Sequence, residues 1–201
     1  MQANAARDAG ALELAYSHIA VWEFPCPTCG EVHERPELRW AFRTPAGWHV
    51  FEDAMYSMGA VTSERAVLSV STQSGTEHQY FLKAALRFPI RESTDELTIE
   101  TWVRVGESDF WEASEFLRKS DPRPHAPWPG QLMHHIPSYE QTTWCLDCSV
   151  LGDATSRTFS VVLDRDAHEI ADDQRAGLTS HHAADVAIAL KAKHGVEPLA
   201  E

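Results

Sequence analysis

No apolar run in the chain approaches the roughly 18 residues that a membrane-crossing helix needs, so no transmembrane span is expected. The first residues, MQANAARDAGALELAYSHIAVWEF, lack a basic start and a clean apolar core. Asp8 and Glu13 interrupt them, which argues against a secretory signal. Cations are scarce: 17 Lys and Arg stand against 30 Asp and Glu, a formal charge of −13. Nucleic-acid backbones and anionic membranes both demand clustered Lys and Arg, so neither is expected as a partner. A basic protein partner is compatible with this charge. The P-loop, G-x-S-x-G, G-x-G-x-x-G and H-E-x-x-H patterns are missing, as is the zinc-deaminase pattern. The common NTPase, hydrolase, dinucleotide and zinc-protease signatures are thereby set aside.

Hydrophobic residues make up 43% of the 201 positions and charged residues 23%, values that support a packed core without staples. The absence of a signal predicts a cytoplasmic protein, where thiols stay reduced. Four cysteines in two C-x-x-C pairs then point to metal or redox chemistry before structural disulfides.

Three adjacent segments read as strands. RAVLSVST alternates, HQYFLKAALRFPI is a long run, and ELTIETWVRV alternates Leu97, Ile99, Thr101 and Val103 against polar neighbours. Gly75 supplies a hairpin turn between the first two, and RESTDE a polar link to the third. A helix is expected in GESDFWEASEFLRK, capped by Ser108 or Asp109, with Phe110, Ala113, Ser114 and Leu117 on one face. The four prolines of DPRPHAPWPG forbid regular structure. TTWCLDCSVLG and RTFSVVLDRD read as two further strands. Thr179 or Ser180 caps a last helix that buries Val186, Ala189 and Leu190. The order predicts an α+β fold: one domain with an antiparallel β-sheet meander packed by a few helices, preceded by a zinc-knuckle-like segment. Residues 1–21 read as a helical or flexible extension, 22–194 as the domain and 195–201 as a tail.

The chemistry concentrates in FPCPTCGEVHERP. A C-x-x-C turn places Cys26 and Cys29 about right for one tetrahedral zinc, and Gly30 lets the backbone turn behind the second sulfur. His33 can supply a third ligand. Cys145 and Cys148, in WCLDC, lie far beyond the roughly 15–20 residues of a zinc-ribbon spacing. Folding can unite the pairs into a four-cysteine site, or into three cysteines with His33. Alternatively one of Cys145 and Cys148 is a small core residue, since strand positions three apart face opposite ways. Pro25 and Pro27 favour a knuckle over a thioredoxin-type redox pair. The pairs His134–His135 and His181–His182 offer one usable ligand each at best, because neighbours in sequence do not share a face. In LDRDAHEIADDQRAGLT, Arg175 can clamp Asp164 or Asp166, and Gly177 permits a turn before the last helix.

CPTCGEVH, EHQYFLKAALRFPI, TWVRVGESDFWEA, IPSY and LDRDAHEIADDQRAGLT, in this order, resemble the bacterial family known as domain of unknown function 2199. The likeness runs from about residue 23 to 193. Cys26, Cys29, Gly30, His33, His78, Phe81, Pro89, Trp102, Val103, His168, Gln174, Arg175, Gly177 and Thr179 fill the matching positions. Glu169 stands where that family tends to have proline, and the second C-x-x-C is not part of its pattern. The resemblance implies the fold and leaves the activity open. Two roles follow from the residues. The first is a non-enzymatic protein-binding module, immunity- or antitoxin-like, with a structural zinc. The alternative is a zinc-dependent enzyme with an unfamiliar site around Glu31, His33, His78 and His168.

Overall fold

Strand β6, Gly75–Pro89, organises the structure. In its second half Leu82, Ala84, Leu86 and Phe88 are buried while Lys83, Ala85 and Arg87 face outward, the period of two that a pleated strand imposes. The computed structural model describes residues 23–25, 29–30, 32–34, 36–46, 48, 57–91, 93–119, 126–164 and 168–199. The predicted extension over 1–21 lies outside these. Two compact units divide at Pro36 and Glu37.

The first unit holds a hairpin of β1, Glu23–Pro25, and β2, Val32–Glu34, paired antiparallel with Phe24 opposite His33 and Pro25 opposite Val32.

The second unit is built on a nine-stranded sheet. Strands β5 (Arg65–Thr72), β6 and β7 (Glu96–Val105) form the expected meander, and β4 (Ser57–Val61), which was not expected, extends it antiparallel from β5. Strands β8 (Trp128–Leu132), β9 (Asp147–Asp153) and β10 (Thr158–Leu163) continue it antiparallel from the far side of β7. β10 then returns to β6 and pairs with it parallel, Ser160 opposite Ala85 and Val161 opposite Leu86. Five strands, β6 to β10, thus close into a barrel-like ring. β3 (Arg39–Phe42) adds to β7 in parallel, and β11 (Val196–Pro198) adds antiparallel to β3. The sheet is therefore not a purely antiparallel meander. Closure hides the edges of β6 and β10 from solvent pairing, which an open sheet would leave exposed. The predicted tail carries the edge strand β11.

Helix α1, Glu107–Lys119, buries Phe110, Ala113, Ser114 and Phe116, so Phe116 takes the inner position expected for Leu117. α2 (Glu169–Ala176) packs on β6 and β10, and α3 (Ser180–Lys191) buries Ala183, Ala184, Val186, Ala187 and Leu190. The sequence reading had no α2. Its eight residues carry only two buried positions, Ile170 and Ala171, too few for a visible helical period. β8 also departs from expectation, since it holds Pro129. Gly130 pairs with Val105, the last residue of β7, so Pro129 sits where β8 is paired on one side only and a missing N–H is tolerated. No helix among the described residues is long and apolar enough to cross a membrane.

Candidate functional site

In the first unit the β1–β2 register brings Pro25 beside Val32. Gly30 has φ of 76°, a left-handed conformation that side chains resist, and Cys29 before it is exposed. Cys26 and Glu31 lie outside the described residues. His33 is the second residue of β2.

The second C-x-x-C is split by its local structure. Cys145 is not on a strand: it turns with φ of 62°, and its N–H donates to the Leu132 carbonyl at 2.8 Å. Cys148 is on β9, 2% exposed and part of the core. Burial first, then the nearby Asp164 and Asp147 carboxylates, push its thiol up to about 12. Such a thiol stays protonated at neutral pH unless a metal displaces the proton. Among the described residues, no three His, Cys, Asp or Glu side chains converge as a metal-holding group.

The C-terminal motif folds into a hydrogen-bonded block against the barrel seam. Gln174 Nε2 donates to the Val161 carbonyl at 2.6 Å while Leu163 N–H donates to Gln174 Oε1 at 2.9 Å. One side-chain amide thereby serves two backbone groups of β10. Gly177 has φ of 85°, and an added Cβ would lie 2.9 Å from the Pro89 carbonyl oxygen. That close approach lets Leu178 N–H donate to the same oxygen at 2.8 Å, and Arg91 Nε donates to the Gly177 carbonyl at 2.7 Å. Thr179 caps α3 by accepting from His182 N–H at 3.1 Å. His168 caps α2: its Nδ1 accepts from Ile170 N–H at 3.2 Å, and its Nε2 faces the Gln141 carbonyl at 3.2 Å. The expected clamp from Arg175 to Asp164 is not formed. Arg175 pairs with Asp172 one turn earlier on α2, because i and i+3 positions share a helix face. Asp166 lies outside the described residues.

A polar cluster that the sequence did not suggest sits beside this block. The buried Tyr139 hydroxyl donates to Asp173 Oδ2 at 3.1 Å, and His182 Nδ1 approaches the same oxygen at 3.5 Å. The Tyr139 ring packs against His168 and His182, with centroids 6.0 and 5.3 Å apart. Burial and the Asp173 carboxylate raise the Tyr139 pKa, so the phenol is held neutral. His182 is thus a half-buried partner of Asp173 rather than a solvated helix-start residue. Sequence signals for the cluster were confined to the IPSY and DDQR segments, which only the fold brings together.

His134 and His78 serve the sheet. His134 is 4% exposed, stacked on Phe42 at 3.8 Å. Its Nε2 donates to the Thr44 carbonyl and its Nδ1 accepts from Thr101 Oγ1, both at 3.0 Å. Burial lowers its pKa to about 3, so the ring is neutral. His78 lies across the β5–β6 pairing from Ser69, whose Oγ is 2.8 Å from Nδ1. His78 and His168 therefore belong to separate networks.

A cavity of about 340 Å³ opens on the outer face of β5, β6 and β7. Trp48, Leu68, Phe81 and Met133 give it apolar walls, with Trp144, Cys145 and Arg104 also lining it. Trp144 is 42% exposed. Arg104 donates to Gln131, which donates onward to Asp147 Oδ1 at 3.1 Å, and Asp164 N–H meets the Asp147 carbonyl at 3.2 Å.

No curated protein and no solved structure matches the chain. A family model described as "uncharacterized protein conserved in bacteria (DUF2199)" matches residues 25–178, from the cysteine hairpin to the turn after Gly177. With that span covering well over half of its length, the chain belongs to the DUF2199 family.

Proposed function

We propose that this protein is a non-enzymatic protein-binding module of the bacterial cytoplasm, of the immunity or antitoxin kind. It seats a basic segment of its partner at the Trp144 cavity and carries a structural zinc in the Cys26–Cys29–His33 hairpin. The observation that carries the binding reading is the apolar cavity with a part-exposed Trp144 at its rim. A Lys or Arg suits such a place. Its aliphatic stem packs on apolar walls and its head is attracted to an indole face. The formal charge of −13 speeds encounter with a cationic partner. The polar groups of the C-terminal motif favour this reading over a zinc enzyme, since His168 and Gln174 already spend both of their ring or amide atoms on backbone groups. The C-x-x-C-G-x-x-H spacing supports the zinc, and the left-handed turn at Gly30 suits the backbone reversal behind Cys29 that a knuckle requires.

A Lys-rich peptide titrated into the protein should change tryptophan emission, with affinity falling steeply as salt rises. Trp144→Ala and Trp144→Leu should each weaken it by about tenfold, the loss typical of an interface anchor. Undiminished binding in both variants, or equal binding of a Glu-rich peptide, would overturn the proposal.

A further inference from the structure

Two adjoining clefts break the acidic character of the surface. One, of about 600 Å³, is walled by Arg65, Trp111, Arg118 and Arg157 together with Glu64 and Glu115. The other, of about 540 Å³, shares Glu64 and Arg157 and adds Arg39, Lys83, Arg87 and Glu100. Six of the 17 Lys and Arg residues thus line the pair against three carboxylates, in a chain of formal charge −13. Clefts with low-dielectric walls focus the field of the charges that line them, so this inversion of sign is felt by a ligand at close range.

The topology accounts for the opening. β5 leaves β6 after Arg65 pairs with Leu82, and β10 joins the same side of β6 only at Ala85. Between them the sheet is split, bridged by Lys83 N–H donating to the Glu64 carbonyl at 2.8 Å. Ala85 is a small residue on the outward row of β6, flanked by Lys83 and Arg87, which leaves room above it.

The carboxylates present are engaged. Arg118 holds Glu115 through two hydrogen bonds of 3.1 and 2.7 Å, and Lys119 meets it at 2.9 Å. Lys83 holds Glu100 at 3.2 Å. Arg65 is different. Its Nε is shut off from solvent and has no hydrogen-bond partner among the described residues. Buried donors are nearly always paired, so this unmet N–H marks Arg65, in the wall of the cleft, as a guanidinium with hydrogen-bonding capacity left. Trp111 supplies the other half of a recognition site. It is 54% exposed, yet it is braced by Phe110 at 5.1 Å and 80° and by Tyr80 at 6.4 Å and 63°. A braced, half-exposed indole is a stacking platform that loses little freedom on binding.

We propose that these clefts bind a phosphate monoester of a planar ring, with the phosphate taken by Arg65 and Arg157 and the ring laid on Trp111. A phosphate monoester carries three terminal oxygens and up to two negative charges, so it can answer two guanidinium forks where a carboxylate, with two oxygens and one charge, answers one.

Titration of the intact protein with adenosine monophosphate, read by tryptophan emission and calorimetry, tests this. Saturable binding is expected, with adenosine alone, inorganic phosphate alone and benzoate each at least about tenfold weaker. Arg65→Gln and Arg157→Gln should each lose roughly tenfold or more, the size of a charge-assisted contact. Trp111→Ala and Lys191→Gln, the latter outside both clefts, are surface changes that guard against misfolding. The first should lose affinity and the second should retain most of it. Absence of saturation, unchanged affinity in both Arg65→Gln and Trp111→Ala, or benzoate binding as tightly as the nucleotide would each overturn the proposal.

Discussion

Gln174 donates to the carbonyl of Val161 at 2.6 Å, so a helix side chain stands in for a strand neighbour at the seam of the barrel. Because the same amide also accepts from Leu163 N–H, both of its ends are committed. Gln174→Glu should destabilise more than Gln174→Ala, since a carboxylate would face a carbonyl oxygen with no donor between them. Costs of about 3 and about 1–2 kcal/mol are expected, in line with leaving buried polar groups unmet. Urea unfolding midpoints of the two variants check the order.

His134 predicts an acid sensitivity with a definite sign. Its folded pKa, about 3, lies below the ordinary value of 6.5 because burial disfavours the charged ring. The unfolded chain therefore takes up a proton that the folded chain refuses, and stability is lost as pH falls from about 6.5 toward 3. The loss reaches about 3 kcal/mol near pH 4, at ~1.4 kcal/mol per pH step. His134→Gln should show a shallower fall over that window in denaturant melts at stepped pH, whatever its stability at pH 7.

Arg175 and Gly177 are two residues apart and should respond very differently. Arg175→Ala removes an exposed pair within α2 and should cost less than about 0.5 kcal/mol. Gly177→Ala forces a side chain into a left-handed backbone and against the Pro89 carbonyl, which should cost roughly 2 kcal/mol or more. Thermal unfolding of both variants tests the contrast, and comparable losses would show that the turn accommodates a methyl group.

The zinc proposal predicts about one metal ion per chain in protein purified without chelator, by elemental analysis. With residues 1–36 and 37–201 forming separate compact units, loss of the metal should loosen the hairpin and spare the sheet. Cys26→Ser should therefore unfold at nearly the parent midpoint, with new protease cuts confined to residues 22–35. Global unfolding on chelation would contradict a local clamp.

The three strands of the meander were legible because Leu97, Ile99, Thr101 and Val103 alternate with polar partners and Gly75 marks the hairpin. What could not be read is long-range. Nothing local to TFSVVL announces that β10 runs parallel to β6, since a doubly covered strand and a half-covered one differ by their neighbours, not their own residues. α2 escaped because a histidine caps it, where Ser, Thr, Asp or Asn is the usual sign. Near the first cysteine pair, the turn at Gly30 was legible because a glycine follows C-x-x-C. The meeting of Tyr139, Asp173 and His182 was not, because each is an ordinary polar residue until the fold sets them side by side.

The parallel seam also bears on how the chain folds. Ser160–Ala85 and Val161–Leu86 join residues more than seventy positions apart, while β4 to β7 pair with their immediate successors. Loop closure over that length is entropically costly and is repaid by few residue pairs, so the seam should zip last, after the rate-limiting barrier. Weakening it through Gln174 should then speed unfolding several-fold and leave the refolding rate nearly unchanged, a division that a chevron plot resolves.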